Sequence, residues 1–222
     1  MKIILRSIAL AIIISTLISC GGDHQHGAAS NSYMNQSKFD ELVERFEGNN
    51  RDEWQKPYEV IEKFGNLKGK TVIDIGAGTG YFSFKLAEKG ATVIAADVDE
   101  RFLKYIADKK LTLKDSLVVP RLTEFEDPLL QENEADHALI VNTYHHLDNR
   151  VEYFTKVYKG LKKGGKLMVV DFKKEKTPNG PPKRHRLSAE KAKAELSKAG
   201  FSDFSMDMDL LVDQYVIVAK KQ

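Results

Sequence analysis

The chain has 222 residues, 42% of them apolar, and a formal net charge of +2. That suffices for one domain with a substantial core, while acids and bases interspersed along the whole length exclude a basic stripe of the kind that grips nucleic acid. A single cysteine, Cys20, excludes disulfides, a cysteine nucleophile and a thiolate metal site from everything that follows it.

Taken in order, the chain begins with a basic segment around Lys2 and Arg6 and an apolar run from Ile8 to Ile14 that is too short for an ordinary membrane span. The run closes on Leu17-Ile18-Ser19-Cys20, which resembles the lipoprotein box of bacteria. The expected organisation is a signal peptide over 1–19, a lipidated flexible tether over 20–36 and a folded domain over 37–222. This implies anchoring in the bacterial cell envelope, on a membrane, through lipid on Cys20. Loss of Lys2 and Arg6 with the signal would leave the mature chain formally neutral. The tether is rich in Gly, Ser, Asn and Ala without periodicity, and its His24-x-His26 pair reads as linker rather than metal site.

An amphipathic helix is expected over Ser37 to Phe46, with Ser37 as N-cap and Phe39, Leu42, Val43 and Phe46 on one face. A second helix opens at Arg51 and continues through Trp54, Gln55 and Pro57 to Val60, Ile61 and Phe64. Next comes Val72-Ile73-Asp74-Ile75, a short β-branched run that suits the central strand of a parallel sheet. It runs into Gly76-Ala77-Gly78-Thr79-Gly80-Tyr81 and then into helical spacing from Phe82 to Glu88. Three glycines permit a tight turn and close approach of a ligand, and the N–H groups of the new helix offer an anion site. A dinucleotide fingerprint would need glycine at position 81, where this chain has tyrosine.

The pattern Asp74-x-Gly76-x-Gly78-x-Gly80 resembles motif I of the class I S-adenosylmethionine (SAM) methyltransferases. The resemblance implies SAM as cofactor, held by Asp74, Gly76, Ala77, Gly78, Gly80 and Tyr81. A second strand, Thr92 to Ala96, ends at Asp97, 21 positions after Gly76; a carboxylate there can accept both ribose hydroxyls, with Val98 beside it in the cofactor set. That acid serves NAD sites equally well and does not discriminate. The resemblance also implies that the helices ahead of the motif form a lid, with Trp54 and Gln55 lining the site; packing of Trp54 on the sheet is the competing reading.

The rhythm continues as helix (Asp99 to Lys109), strand (Ser116 to Leu122), strand (Ala135 to Asn142), helix (about Asp148 to Gly160) and strand (Lys166 to Asp171). It breaks at the end into helix Ser188 to Ala199, strand Phe201 to Asp209 and strand Gln214 to Lys220, an antiparallel pair. The expected fold is α/β: a Rossmann-like seven-stranded sheet, mostly parallel with an antiparallel C-terminal strand and helices on both faces, as in class I methyltransferases.

Ligands of such sheets sit beyond the carboxyl ends of the strands. There the class has an acid near the adenine amine and an apolar wall beside the ring, positions that fall here to Glu124 and Phe125. The fourth strand delivers Asn142-Thr143-Tyr144-His145-His146 into the crevice. Asn142 joins the cofactor set. His145, His146 and Tyr144 are the catalytic candidates, since transfer to an O–H or N–H acceptor requires management of one proton. After the fifth strand, Asp171-Phe172 and Gly180-Pro181-Pro182-Lys183-Arg184-His185-Arg186 suggest His185 and Arg186 over the same crevice, with Arg186 suited to an anionic acceptor, or else a solvated basic rim. Together with Gln214-Tyr215, these motifs resemble a bacterial subfamily of class I methyltransferases whose members often carry secretion or lipoprotein signals. The expected activity is SAM-dependent methylation of a small-molecule or lipid-linked acceptor. The rivals are a non-catalytic nucleoside- or metabolite-binding lipoprotein and an NAD-linked dehydrogenase. No metal is assigned, although a metal-assisted variant would use His145, His146 and His185.

Overall fold

The computed structural model describes residues 38–48, 50–175 and 177–222. The expected signal peptide, the expected tether with Cys20 and the His24 pair, and the expected Ser37 cap lie outside the described residues. Three short helices lead, α1 (Phe39–Phe46), α2 (Arg51–Gln55) and α3 (Pro57–Glu62). The alternating part follows as β1 (Thr71–Ile75), α4 (Tyr81–Glu88), β2 (Thr92–Asp97), α5 (Glu100–Leu113), β3 (Val118–Leu122) and β4 (Ala135–Val141). A 3-10 turn over Tyr144–His146 leads to α6 (Arg150–Gly160) and β5 (Leu161–Phe172). Another 3-10 turn over Lys183–His185 precedes α7 (Ala189–Lys198), β6 (Ser202–Asp207) and β7 (Gln214–Lys220).

The seven strands lie in the order β3-β2-β1-β4-β5-β7-β6. The first five are mutually parallel, and β7 is antiparallel to both β5 and β6. This is the Rossmann-like sheet of class I methyltransferases. The order reverses between β1 and β4, so the crevice of the sheet opens where β1 runs into the glycine turn.

Strand periodicity of two divides the buried residues between two faces. Ile73, Ile75, Ala138 and Ile140 point to the layer of α6 and α7, where they meet Phe154, Val157, Ala192 and Leu196. Val72, Leu139 and Val141 point to the other layer, against Val60, Ile61, Phe82, Leu86 and Ile106 of α3, α4 and α5. Both faces are covered, which is why these strands read as unbroken apolar runs. Among the described residues no helix is long and apolar enough to cross a membrane.

One expected element divides. The helix opened by Arg51 stops at Gln55, and Lys56 takes a left-handed conformation (φ 42°) before α3 starts on Pro57. The proline ring disfavours α geometry in the residue before it, so the chain turns and starts afresh with Pro57 at the first helical position. The sheet ends on two unlike edges. At β3, Leu117 O and Thr123 N both bond to β2, so the alternate residue Pro120 turns its nitrogen to the free edge. At β6 the register slips between Ser202 and Ser205, and Asp203 stands at φ 49°.

Candidate functional site

The site grows from the turn after β1. Gly76, Gly78 and Gly80 have φ of 70°, 55° and 75°, in the region that side chains avoid. At Gly76 space as well as torsion demands glycine: an added Cβ would stand 2.5 Å from the Thr143 side chain at the end of β4. Several amides of the turn are already engaged. Gly76 N and Ala77 N both donate to Ala96 O (2.8 and 3.0 Å), and Gly78 N donates to Asp97 Oδ2 (2.8 Å).

The anion at the start of α4 is the protein's own, which corrects the expectation of an open anion site. Asp74 is 3% exposed; its Oδ2 accepts from Ser83 Oγ at 2.6 Å, and the carboxylate also accepts from the Ser83 backbone. Burial is the dominant influence and raises its pKa to about 6, against the opposing pull of the Ser83 hydrogen bond and the Arg51 charge. A carboxylate filling the helix N-terminus leaves no cradle for a pyrophosphate.

At the tip of β2, Asp97 is buried and bonded on both oxygens, Oδ2 to Gly78 N and Oδ1 to Asp99 N (3.0 Å). Burial raises its pKa, partly offset by these backbone bonds. The carboxylate also accepts from the Val98 backbone and keeps acceptor capacity for a hydroxyl donor. Val98 beside it is exposed. Thr123 is tied to the same point by its N–H to Asp97 O (2.9 Å), whereas Glu124 and Phe125 lie just beyond it on an exposed tight turn closed by the Glu124–Asp127 backbone pair. A phosphate-free loop without Cβ obstruction, ending on a diol-accepting carboxylate, fits a nucleoside joined to an amino acid, which is the chemistry of SAM.

A lid covers the turn. Phe39 and Phe46 of α1 pack on Phe102 of α5 (ring centroids 5.1 and 5.5 Å), and Phe46 lies over Gly78. From α2, Asp52 accepts from the Tyr81 hydroxyl and pairs with Lys85 at 3.3 Å, while the Arg51 guanidinium lies 4.0 Å from the centre of the Tyr81 ring. Arg51 is half-buried and burial lowers its pKa to about 10, so it remains charged. Tyr81 is therefore a clasp for α2, and its hydroxyl is pushed well above the usual range, first by burial and then by Asp52. Gln55 is fully buried and bonded to Gln214 at 3.0 Å; Trp54 stacks on Phe172 at 6.3 Å, so it packs on the end of the sheet. Arg51, Asp52 and Gln214 had no role in the sequence-based site. The signal for Arg51 and Asp52 was a charged, Trp-containing segment just ahead of the motif, and that for Gln214 was the Gln214-Tyr215 pair in the last strand.

The end of β4 brings the remaining candidates. Asn142 stands at φ 57° beside the loop, its Oδ1 accepting from Gln214 Nε2. His145 is 3% exposed; its Nδ1 lies 2.8 and 3.0 Å from the two Asp171 oxygens, and its backbone N–H donates to Asp171 Oδ2 at 3.0 Å. His146 lies tilted beside it (ring centroids 4.3 Å), with a buried Nδ1 lacking a partner among the described residues; burial, then the His145 ring, pushes its pKa down to about 3. It is a neutral ring at any physiological pH.

Two expectations fail here. Tyr144 points away from the crevice into the α6–α7 layer, fully buried, stacked on Phe154 at 5.0 Å and donating to Glu195 Oε2 at 2.9 Å. One residue along the tight 3-10 turn suffices to carry a side chain to the opposite face. Arg186 is equally committed: Nε, Nη1 and Nη2 donate to Pro181 O, Lys173 O, Glu175 O, Thr177 Oγ1 and Asn179 O at 2.6–3.2 Å. It pins the β5–α7 loop and presents no free fork to an anionic acceptor. His185 is half-buried on the turn before it. Among the described residues no group of three His, Cys, Asp or Glu is arranged to hold a metal ion.

Residues 73–169 match the protein family described as a methyltransferase domain. The chain is 28% identical over 117 residues to phosphoethanolamine N-methyltransferase 2 of Caenorhabditis elegans, covering 52% of this chain and 27% of that protein. It is 29% identical over 123 residues to the tRNA U34 carboxymethyltransferase of Sulfurovum sp. (strain NBC37-1), covering 54% of this chain and 40% of the relative. It thus spans well under half the length of these curated relatives, whose acceptors are unlike one another. A SAM-dependent methyltransferase from Aquifex aeolicus superposes with a TM-score of 0.78 at 23% identity, over 84% of this chain and all of that one.

Proposed function

For a chain that carries a methyltransferase domain in the class I fold, we propose a SAM-dependent methyltransferase acting on a small-molecule or lipid-linked acceptor. The observation that carries the reading is the buried His145–Asp171 pair at the end of β4, on the strand beside the glycine turn. SAM supplies an electrophilic methyl group on its sulfonium. Gly76, Ala77, Gly78, Gly80 and Tyr81 form the floor beneath the cofactor, and Asp97 accepts the ribose hydroxyls with Val98 alongside. Asp74 holds the turn onto α4 from below. Glu124 and Phe125 have an outer adenine contact as their proposed role.

Asp171 fixes the ring of His145 through Nδ1, which leaves Nε2 to take the proton an acceptor sheds as its atom is methylated. The adjoining carboxylate holds the positive charge that forms on the imidazole. His146, disfavoured from protonation by burial, packs against the His145 ring rather than acting as the base. The lid of α1 and α2 excludes water from the reacting atoms.

Anchoring through lipid on Cys20 belongs to the same proposal and is supported by the order of basic, apolar and cysteine segments. Labelled fatty acid should enter the wild-type protein and not Cys20→Ala; equal labelling would remove the anchor from the proposal. The enzymatic reading is tested by calorimetric titration of the protein with SAM, S-adenosylhomocysteine and NAD. Binding of the first two without the third is expected, and binding of NAD, or of none, would refute it.

A further inference from the structure

Four polar side chains run head to tail from the lid to the end of β4. Arg51 Nε donates to Gln55 Oε1 at 2.7 Å, Gln55 Nε2 donates to Gln214 Oε1 at 3.0 Å, and Gln214 Nε2 donates to Asn142 Oδ1. Gln55 and Gln214 are fully buried, so neither amide can exchange its partners for water. A guanidinium has donors only, and an amide has one accepting and one donating end. Gln55 must therefore turn its oxygen to Arg51, Gln214 its oxygen to Gln55, and Asn142 its oxygen to Gln214. The polarity of the last group is imposed by the first.

At the far end, Asn142 has its oxygen engaged, and its Nδ2 has no protein partner among the described residues and is not shut away from solvent. The neighbouring Thr143 touches Gly76, and Arg51 lies over Tyr81 on the other side of the loop. The free N–H thus stands at the carboxyl end of β4, the strand beside the glycine turn, and away from the ribose acceptor Asp97 on β2. The methionine part of SAM has three polar groups. Its ammonium is itself a donor and its sulfonium is a cation, so both disfavour an amide N–H. Only its carboxylate accepts.

We infer that Asn142 donates a hydrogen bond from Nδ2 to the carboxylate of the bound cofactor, and that Arg51 fixes this polarity through Gln55 and Gln214. The inference rests on the SAM reading above. It gives the lid a chemical role, because α2 dictates which end of Asn142 the cofactor meets.

The test compares S-adenosylhomocysteine with 5′-methylthioadenosine, which shares the nucleoside but lacks the amino-acid end, by calorimetric titration. Asn142→Ala should weaken S-adenosylhomocysteine about 10- to 100-fold, as for loss of a hydrogen bond to a charged group, and change methylthioadenosine by no more than about twofold. Gln214→Glu supplies acceptors only, so Asn142 must turn its N–H to residue 214. It should lose a similar factor, and adding Asn142→Ala should then cost nothing further. Gln55→Glu imposes the same reversal one link earlier. Three outcomes overturn the inference: both ligands weakening together, neither weakening, or Asn142→Ala costing as much in the Gln214→Glu background as in the wild type, which would reduce the Gln214→Glu result to a charge effect. If the wild type binds neither ligand, it is the cofactor reading that fails.

Discussion

Asp74 gives the sharpest quantitative test, because the site holds this carboxylate at an energetic cost. In the unfolded chain it ionises near 3.8; in the fold, burial moves that to about 6. The folded state therefore binds a proton more tightly than the unfolded one, and stability falls as pH rises from about 4 through about 6. At 1.36 kcal/mol per pH unit the loss amounts to about 3 kcal/mol. Asp74→Asn keeps an acceptor for Ser83 and never ionises, so it removes the pH-dependent part. Any constant change from altered hydrogen bonding cancels when the two proteins are compared at two pH values. Urea unfolding at pH 4 and at pH 7.5 should therefore show the variant gaining most of this, about 2 kcal/mol, on the wild type between the two, with equal m-values. A wild-type minus variant difference that is the same at both pH values would refute the reasoning, and would mean that Ser83 and Arg51 compensate the buried charge.

Asp97→Ala should abolish binding of SAM in calorimetry, because it removes the ribose acceptor and the partner of Gly78 N; unchanged affinity would sink that assignment. His145→Ala should leave S-adenosylhomocysteine affinity within about twofold while slowing turnover at least about 100-fold, the usual span for a general base, once an acceptor is in hand. Loss of both would make the residue structural. Turnover should show no inflection from His146 between pH 5 and 8, its pKa being pushed down to about 3; one that disappears in His146→Gln would contradict its neutrality. Arg186→Lys exchanges a planar fork for a point donor, leaving most of five acceptors unmet, and should cost about 3 kcal/mol and speed proteolytic cleavage between Lys173 and Arg186. Unchanged cleavage would mean that the loop is held from elsewhere.

What was legible in the sequence were the features carried by local chemistry. The runs through Ile73 and Ile140, the glycines after β1 and the strand at Gln214–Lys220 appear where periodicity and turn residues put them, because each is dictated by neighbours within a few positions. The break at Lys56 was signalled by Pro57, but Val60, Ile61 and Phe64 continue helical spacing beyond it and concealed the restart. Tyr144 and His145 are adjacent and equally plausible as residue types; only the turn geometry sends one to Glu195 and the other to Asp171. The Gln55–Gln214 bond joins residues 159 positions apart, and nothing in either local segment announces the other. Arg186 illustrates a different limit: charge suggested a ligand, whereas the acceptors of its own loop engage all three of its nitrogens.

The two borders of the sheet bear on how the molecule behaves in a crowd. Val119 and Leu122 leave an apolar margin on β3, 43% and 47% exposed, of the kind that recruits a further strand from another chain. Pro120 sits between them with no hydrogen to offer on that side, and at the opposite border the slipped register around Asp203 spoils the template. Each border thus interrupts the backbone ladder that a further strand would need. Copies held at high density should therefore resist fibrillar growth along the edges of this sheet.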